Sequence, residues 1–213
     1  MDNGSGSDAL AVREPRQHRT REQWDRVLDA GVSLLEEGGY EAFTISAVCD
    51  RAEVPPRALY ARTDSKDGLF LAVYERGMER VLASHRVFLE PDGWDLDNRE
   101  RVEKAIRALV QIFVENLAFL HAIVLISGAH AEVARRGEAY RTLIGDLFTS
   151  VLAPLDESST HDDPSHAREF CFTMTFSALV VRIAYGPGFG FAGSQDDLIR
   201  DLATVAQRYL LGI

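Results

Sequence analysis

The residues from Thr44 to Phe70, TISAVCDRAEVPPRALYARTDSKDGLF, gather hydrogen-bond donors among small and apolar neighbours. Thr44, Tyr60 and Lys66 carry hydroxyl or ammonium groups suited to phosphate oxygens, and Lys66 falls at an expected helix start, where backbone N–H groups reinforce the attraction. Arg57, Arg62 and Lys66 follow a crowd of arginines at Arg13, Arg16, Arg19 and Arg21. A local patch of this kind is what phosphate binding requires, whatever the charge of the whole chain.

Other chemistries find weaker support. His161, Asp162, Asp163 and His166 could ligate a metal, but the two histidines are five apart, which does not put them on one helical face. No metal site and no cofactor is expected. Gly188-Phe-Gly190-Phe-Ala-Gly193 matches a dinucleotide-binding spacing, yet that chemistry needs a preceding strand and here a helical pattern precedes it. His121, Ser127 and His130, with Thr173, Thr175 and Arg182, are polar residues embedded in apolar helical patterns, and buried polar groups need partners. No nucleophile–base spacing singles out a catalytic residue. Cys49 and Cys171 sit in apolar helical patterns and read as small core side chains.

The elements that position these residues are helical throughout, and the expected class is all-α with about nine helices. Trp24, Val27, Leu28, Gly31, Leu34 and Leu35 mark an amphipathic first helix, with Thr20 as its expected cap and Gly38-Gly39 as its end. Thr44 caps a short helix over 45–52. Glu53-Val54 turns the chain, and Pro55 and Pro56 open a third helix over 57–61. Asp64 or Ser65 caps a fourth helix running to about Phe88. Two short helices joined by a tight turn form a helix-turn-helix, whose second helix can enter a major groove. Ala47, Cys49 and Ala52 are small enough for the crossing, and Val48, Val54 and Leu59 anchor it.

This string is similar to the N-terminal DNA-binding domain of the TetR family of repressors. Thr44-Ile45, Val54, Leu59-Tyr60, Ser65-Lys66 and Leu69-Phe70 match the family pattern in place, as do Gly39-Tyr40 and Phe43 before them. The resemblance covers about residues 16–75. It implies that Thr44, Tyr60 and Lys66 hold the DNA backbone while Pro55, Pro56, Arg57 and Ala58 face the groove. Arg57, and secondly Arg62, could read a guanine bidentately. Glu53 stands where the family usually has glycine, a cost of about 1 kcal/mol if that position needs a positive φ. Ala61, Arg62 and Thr63 also depart from the usual aromatic-rich ending, which bears on the operator sequence read.

Beyond this segment the chain continues as apolar helical stripes. Leu117–Ile126 is apolar nearly all round and reads as a buried helix. A further stripe spans 140–152, a long helix covers 165–185, and a last helix follows 193. The resemblance implies a ligand cavity in this body, with Phe113, Phe172, Met174 and Phe176 as apolar walls and His121, Ser127 and Arg182 as polar candidates. It also implies a homodimer through the last two helices. The last helix suits this, since Leu198, Leu202, Val205 and Tyr209 form one face and Ile199, Ala206 and Leu210 another.

The net charge is −10, and residues 1–66 carry 9 basic against 12 acidic side chains. DNA binding should therefore be salt-sensitive and dependent on dimerisation. No apolar run reaches the roughly 18 residues a membrane span needs, and the N-terminus lacks signal-peptide character, so a cytoplasmic location is expected. The expected organisation is a disordered tail over 1–15, a DNA-binding domain over 16–64 and a ligand-binding and dimerisation domain over 65–213. The partners are double-stranded DNA, a small-molecule effector and a second copy of the chain, with no membrane. The alternatives are a helical ligand-binding or scaffold protein without DNA affinity, and an enzyme using His121 or His130 as a base.

Overall fold

The computed structural model describes residues 18–186, 189 and 193–212. The expected tail, Arg13 and Arg16, and most of the 188–193 glycine run lie outside the described residues. Among those described, the chain is all-helical, with ten α-helices and two 3-10 segments.

The head is built from α1 (His18–Ala42), α2 (Ile45–Ala52), α3 (Pro56–Tyr60) and the first turns of α4 (Lys66–Ala83). Helix α1 begins before Thr20, so Thr20 is not its cap. It breaks at Gly38–Gly39, where Gly39 adopts a φ of 64° that a side chain would oppose. Thr44 caps α2 by accepting from the Ala47 N–H at 3.1 Å, and Ser65 caps α4 by accepting from Gly68 N–H at 3.0 Å. Helices α1 and α4 cross at Gly31, where an added Cβ would lie 2.4 Å from Val73 Cγ2. The head's interior is closed by Phe43, Val48, Leu59, Leu69 and Phe70, all at or below 1% exposure, and burial of such side chains supplies most of the stabilisation.

The body comprises α5 (Arg86–Leu89), α6 (Asn98–Glu115), α7 (Leu117–Ser127), α8 (Ala131–Val151), α9 (Pro164–Tyr185) and α10 (Gln195–Leu211), with 3-10 segments at Pro91–Trp94 and Ala153–Ser158. Its core centres on Ile106, Leu109, Phe119, Ile144, Phe148 and Leu152. Helix α1 packs against α7 as well as against α2 and α4, so the head is joined directly to the body.

Two boundaries differ from the sequence expectation. The fourth helix stops at Ala83 rather than near Phe88, because Ser84 and His85 form a turn in which His85 is buried with its Nε2 3.1 Å from the Tyr140 hydroxyl. Helix α8 begins nine residues before Tyr140. Its first turns have little apolar stripe and are held instead by Glu132, which pairs with Arg135 and Arg136 at helical spacing. His130 is not inside a core helix but caps α8, its Nδ1 accepting from Val133 N–H at 3.4 Å. Among the described residues no single helix is long and apolar enough to cross a membrane.

Candidate nucleic-acid interface and helical-body cavities

The turn between α2 and α3 requires a left-handed residue, and Glu53 occupies it at φ 55°, ψ 47°. It is the one non-glycine residue with positive φ among those described. Its N–H and that of Val54 return to Asp50 and Cys49 carbonyls, so backbone hydrogen bonds hold a conformation the side chain disfavours. Val54 and Leu59 are buried beside Val48 and Ala52. They fix α3 against α2 and turn its other side outward.

That outer side carries Pro55, Pro56, Arg57 and Tyr60, all exposed, with Ala58 half-buried. Pro55 is the extended residue before α3 and Pro56 its first residue, positions where a missing N–H costs nothing. Tyr60 is 52% exposed although its neighbour Leu59 is buried. An aromatic ring held out in water beside a buried anchor is available to a partner. Arg62 is half-buried and already engaged. Thr44 is exposed, and while its oxygen caps α2 its hydroxyl hydrogen can still be donated.

Lys66, the first residue of α4, lies 4.0 Å from the Tyr40 ring centroid. Tyr40 was part of the sequence motif but carried no assigned role. It supports the Lys66 ammonium by a cation–π contact and donates its hydroxyl to Asp67 Oδ1 at 3.3 Å. Desolvation, and then the Asp67 charge, hold the Tyr40 phenol above its ordinary pKa. Thr63, standing where an aromatic was expected, is buried and donates to the Ser65 carbonyl at 3.1 Å. An added Cβ on the adjacent Gly68 would meet its oxygen at 2.5 Å. The departure at 63 is thus absorbed by local packing.

Two cavities among the described residues of the body take in several of the expected ligand-binding residues. One of about 890 Å³ lies where the end of α1 meets α6, α7, α9 and α10, and includes Phe113, His121 and Arg182 in its lining. A second of about 300 Å³ lies between α4, α7, α8 and α9, and includes Phe113, Ser127 and Phe176. Phe113 borders both and meets Phe176 edge-on at 5.4 Å. Two expected wall residues are elsewhere. Phe172 is core packing, set between Phe148 at 5.6 Å and Phe176 at 5.4 Å, and filling the space over Gly145. Met174 is 57% exposed on the outer side of α9, because it lies two residues from both Phe172 and Phe176 and so points away from their face.

Three of the remaining polar candidates have backbone partners, whereas Thr173 is exposed. Ser127 donates to the Val124 carbonyl at 2.7 Å, and Thr175 to that of Cys171 at 2.9 Å. His161 Nε2 meets the Tyr209 carbonyl at 2.6 Å. Among the described residues no three His, Cys, Asp or Glu side chains converge as a metal site. Both cysteines are buried and free, and burial pushes the Cys171 thiol up to about 12.

A surface of another kind runs along α9 and α10. Phe170, Met174, Val181 and Tyr185 recur on one exposed face of α9, and Val205 on α10 is 65% exposed. On α10 the buried face is Leu198, Ile199, Ala203, Ala206 and Leu210, with Leu202 and Tyr209 half-buried beside Val205. Leu198, expected on the face with Leu202, Val205 and Tyr209, is instead buried beside Ile199.

Residues 27–73 match the family described as "Bacterial regulatory proteins, tetR family". The chain is 38% identical over 72 residues to the HTH-type transcriptional repressor KstR of Mycobacterium tuberculosis, a match spanning 34% of this chain and 33% of that protein. It is 30% identical over 151 residues to the HTH-type transcriptional activator FasR of Mycolicibacterium smegmatis, spanning 68% of this chain and 65% of that one. The matched segment thus spans about a third of the length of the KstR relatives. A TetR transcription regulator from Haloarcula marismortui shares the fold at a TM-score of 0.67 and 16% identity, covering 91% of this chain and 98% of that chain. Residues 27–73 thus carry the helix-turn-helix signature of the tetR family of bacterial regulatory proteins, on an all-helical fold shared with solved TetR regulators.

Proposed function

We propose that this protein is a ligand-responsive transcriptional regulator that binds a palindromic operator as a homodimer in the cytoplasm and is released by a small-molecule effector. The observation that carries the reading is the outward side of α3, where Pro55, Pro56, Arg57 and Tyr60 stand exposed on a helix anchored by buried Val54 and Leu59. Such a helix is free to enter a major groove. Thr44, Tyr60 and Lys66 would hold phosphates on either side, and Arg57 would pair with a guanine edge.

Dimerisation supplies the second head. The exposed apolar face of α9, continued by Val205 on α10, suits a second copy of the chain, because two such helices from each subunit close a four-helix interface. Heads so joined would meet successive major grooves about 34–36 Å apart. An effector that favours a different head spacing lowers operator affinity only by its differential affinity for the two arrangements.

Mobility shift on the DNA flanking the protein's own gene tests this. Binding at moderate salt should disappear in Tyr60→Ala and Lys66→Ala, while Arg57→Ala should cost about 1–3 kcal/mol and relax specificity at one base pair. A well-folded dimer that selects no sequence from random duplexes would instead establish the scaffold reading.

A further inference from the structure

The larger cavity differs from a packing defect in its location and in its lining. Helix α7 is apolar nearly all round, yet the structure leaves Leu117 48% and Leu125 57% exposed, with Val114 at the end of α6 37% exposed. All three line the 890 Å³ space together with His121. On α7, Leu117, His121 and Leu125 form one helical stripe, which together with Val114 of α6 borders this space against the end of α1. A concave space of this volume, mostly apolar with a few polar groups, has the dimensions of a small-molecule site.

The polar groups restrict what could enter. His121 Nδ1 lies 2.6 Å from the Ile183 carbonyl. A carbonyl only accepts, so Nδ1 is the protonated nitrogen and Nε2 of the neutral ring is an acceptor. The α1 side of the cavity carries Glu36, Glu37 and Glu41. Glu36 and Glu37 are paired with Arg80 and Arg51, so their charges are offset but not removed. Arg182, on the opposite wall, is already engaged. An anionic ligand would meet like charge at one side and no uncommitted cation at the other.

We infer that this cleft between head and body is an effector site for an uncharged, mainly apolar small molecule that donates a hydrogen bond to His121. The inference rests on the regulator reading above and adds the place and class of the effector. Its consequence is direct coupling. Gly38, Gly39 and Tyr40 belong to the same lining, so an occupant presses on the break that ends α1 and on the residue supporting Lys66. The effector thus acts on the head itself, with Phe113 separating it from the smaller cavity.

The neutral fluorophore N-phenyl-1-naphthylamine, which carries one N–H donor, provides the test on the full-length protein. Its fluorescence should rise on binding wild type. Ala118→Trp, which fills the larger cavity from an exposed position, should weaken binding by about ten-fold or more. Gly137→Met, which fills the smaller cavity where an added Cβ meets nothing within 4 Å, should leave it unchanged. His121→Phe should weaken the N–H probe by about five-fold but not its N-methyl analogue. Circular dichroism checks that each variant folds. Binding lost in Gly137→Met and kept in Ala118→Trp, or absent in wild type, overturns the assignment. Operator binding, measured separately without probe, reports on the regulator reading alone. A protein that binds the probe as expected but no operator retains the site and loses the regulator function.

Discussion

The Lys66 ammonium lies 4.0 Å from the centroid of the Tyr40 ring, so the residue that opens α4 is held by the turn that closes α1. Tyr40 also meets Phe70 edge-on at 4.9 Å, which ties this support to the head's core. Tyr40→Leu should therefore leave the fold intact while freeing Lys66. The expected result is a loss of about 1 kcal/mol in stability and weaker DNA binding with a shallower salt dependence. Chemical denaturation and mobility shift at several salt concentrations measure the two effects. An unchanged operator affinity would remove Tyr40 from the interface.

At Gly77, α4 packs directly against Phe119 of α7. An added Cβ would lie 2.1 Å from Phe119 Cζ, and Phe119 is fully buried. Gly77→Ala gains helix propensity but forces the ring to move, so a net destabilisation of about 1–3 kcal/mol is expected. Urea denaturation should show this, and Phe119→Leu in the same chain should recover part of it. Additive losses in the double variant would refute the contact.

Glu53 is held left-handed without being glycine. Glu53→Gly should stabilise the head by about 1 kcal/mol, and Glu53→Val should destabilise it by more, since a β-branched side chain tolerates that conformation least. Thermal melts of the two variants should move in opposite directions.

His85 gives the protein a pH dependence of known sign. Desolvation in its buried position lowers its pKa below the ordinary 6.5. The unfolded chain therefore binds this proton more readily than the folded one, and stability falls as pH drops from about 6.5 toward the lowered value. His85→Gln, which keeps a partner for the Tyr140 hydroxyl, should flatten the denaturation midpoint over that range. The same slope in wild type and variant would assign the dependence elsewhere.

Met174 and Val181 share the exposed apolar face of α9. Replacing both with Asp should give monomers by sedimentation with unchanged helical content, because neither side chain belongs to the core. Persistence of dimers would place the subunit contact on another surface.

What could be read directly from the amino-acid order was whatever neighbouring residues settle among themselves. Thr44 and Ser65 cap their helices because hydroxyls reach N–H groups three residues on. Gly39 ends α1 because only glycine takes its backbone angles freely, and the spaced matches from Thr44 to Phe70 identified the helix-turn-helix. The all-helical class followed from periodicity. Periodicity states that a face is apolar, but not what covers it. For that reason Met174 was expected inward and stands outward, and α7 was expected to be buried all round but leaves Leu117 and Leu125 facing a cavity. The break of α4 before His85 and the early start of α8 depend on Tyr140 and on charged side-chain pairs across turns, which an apolar stripe does not register. Tertiary packing alone decided that the end of α1 would meet α7 across an open space, because that juxtaposition joins residues some eighty positions apart through surfaces neither segment specifies on its own.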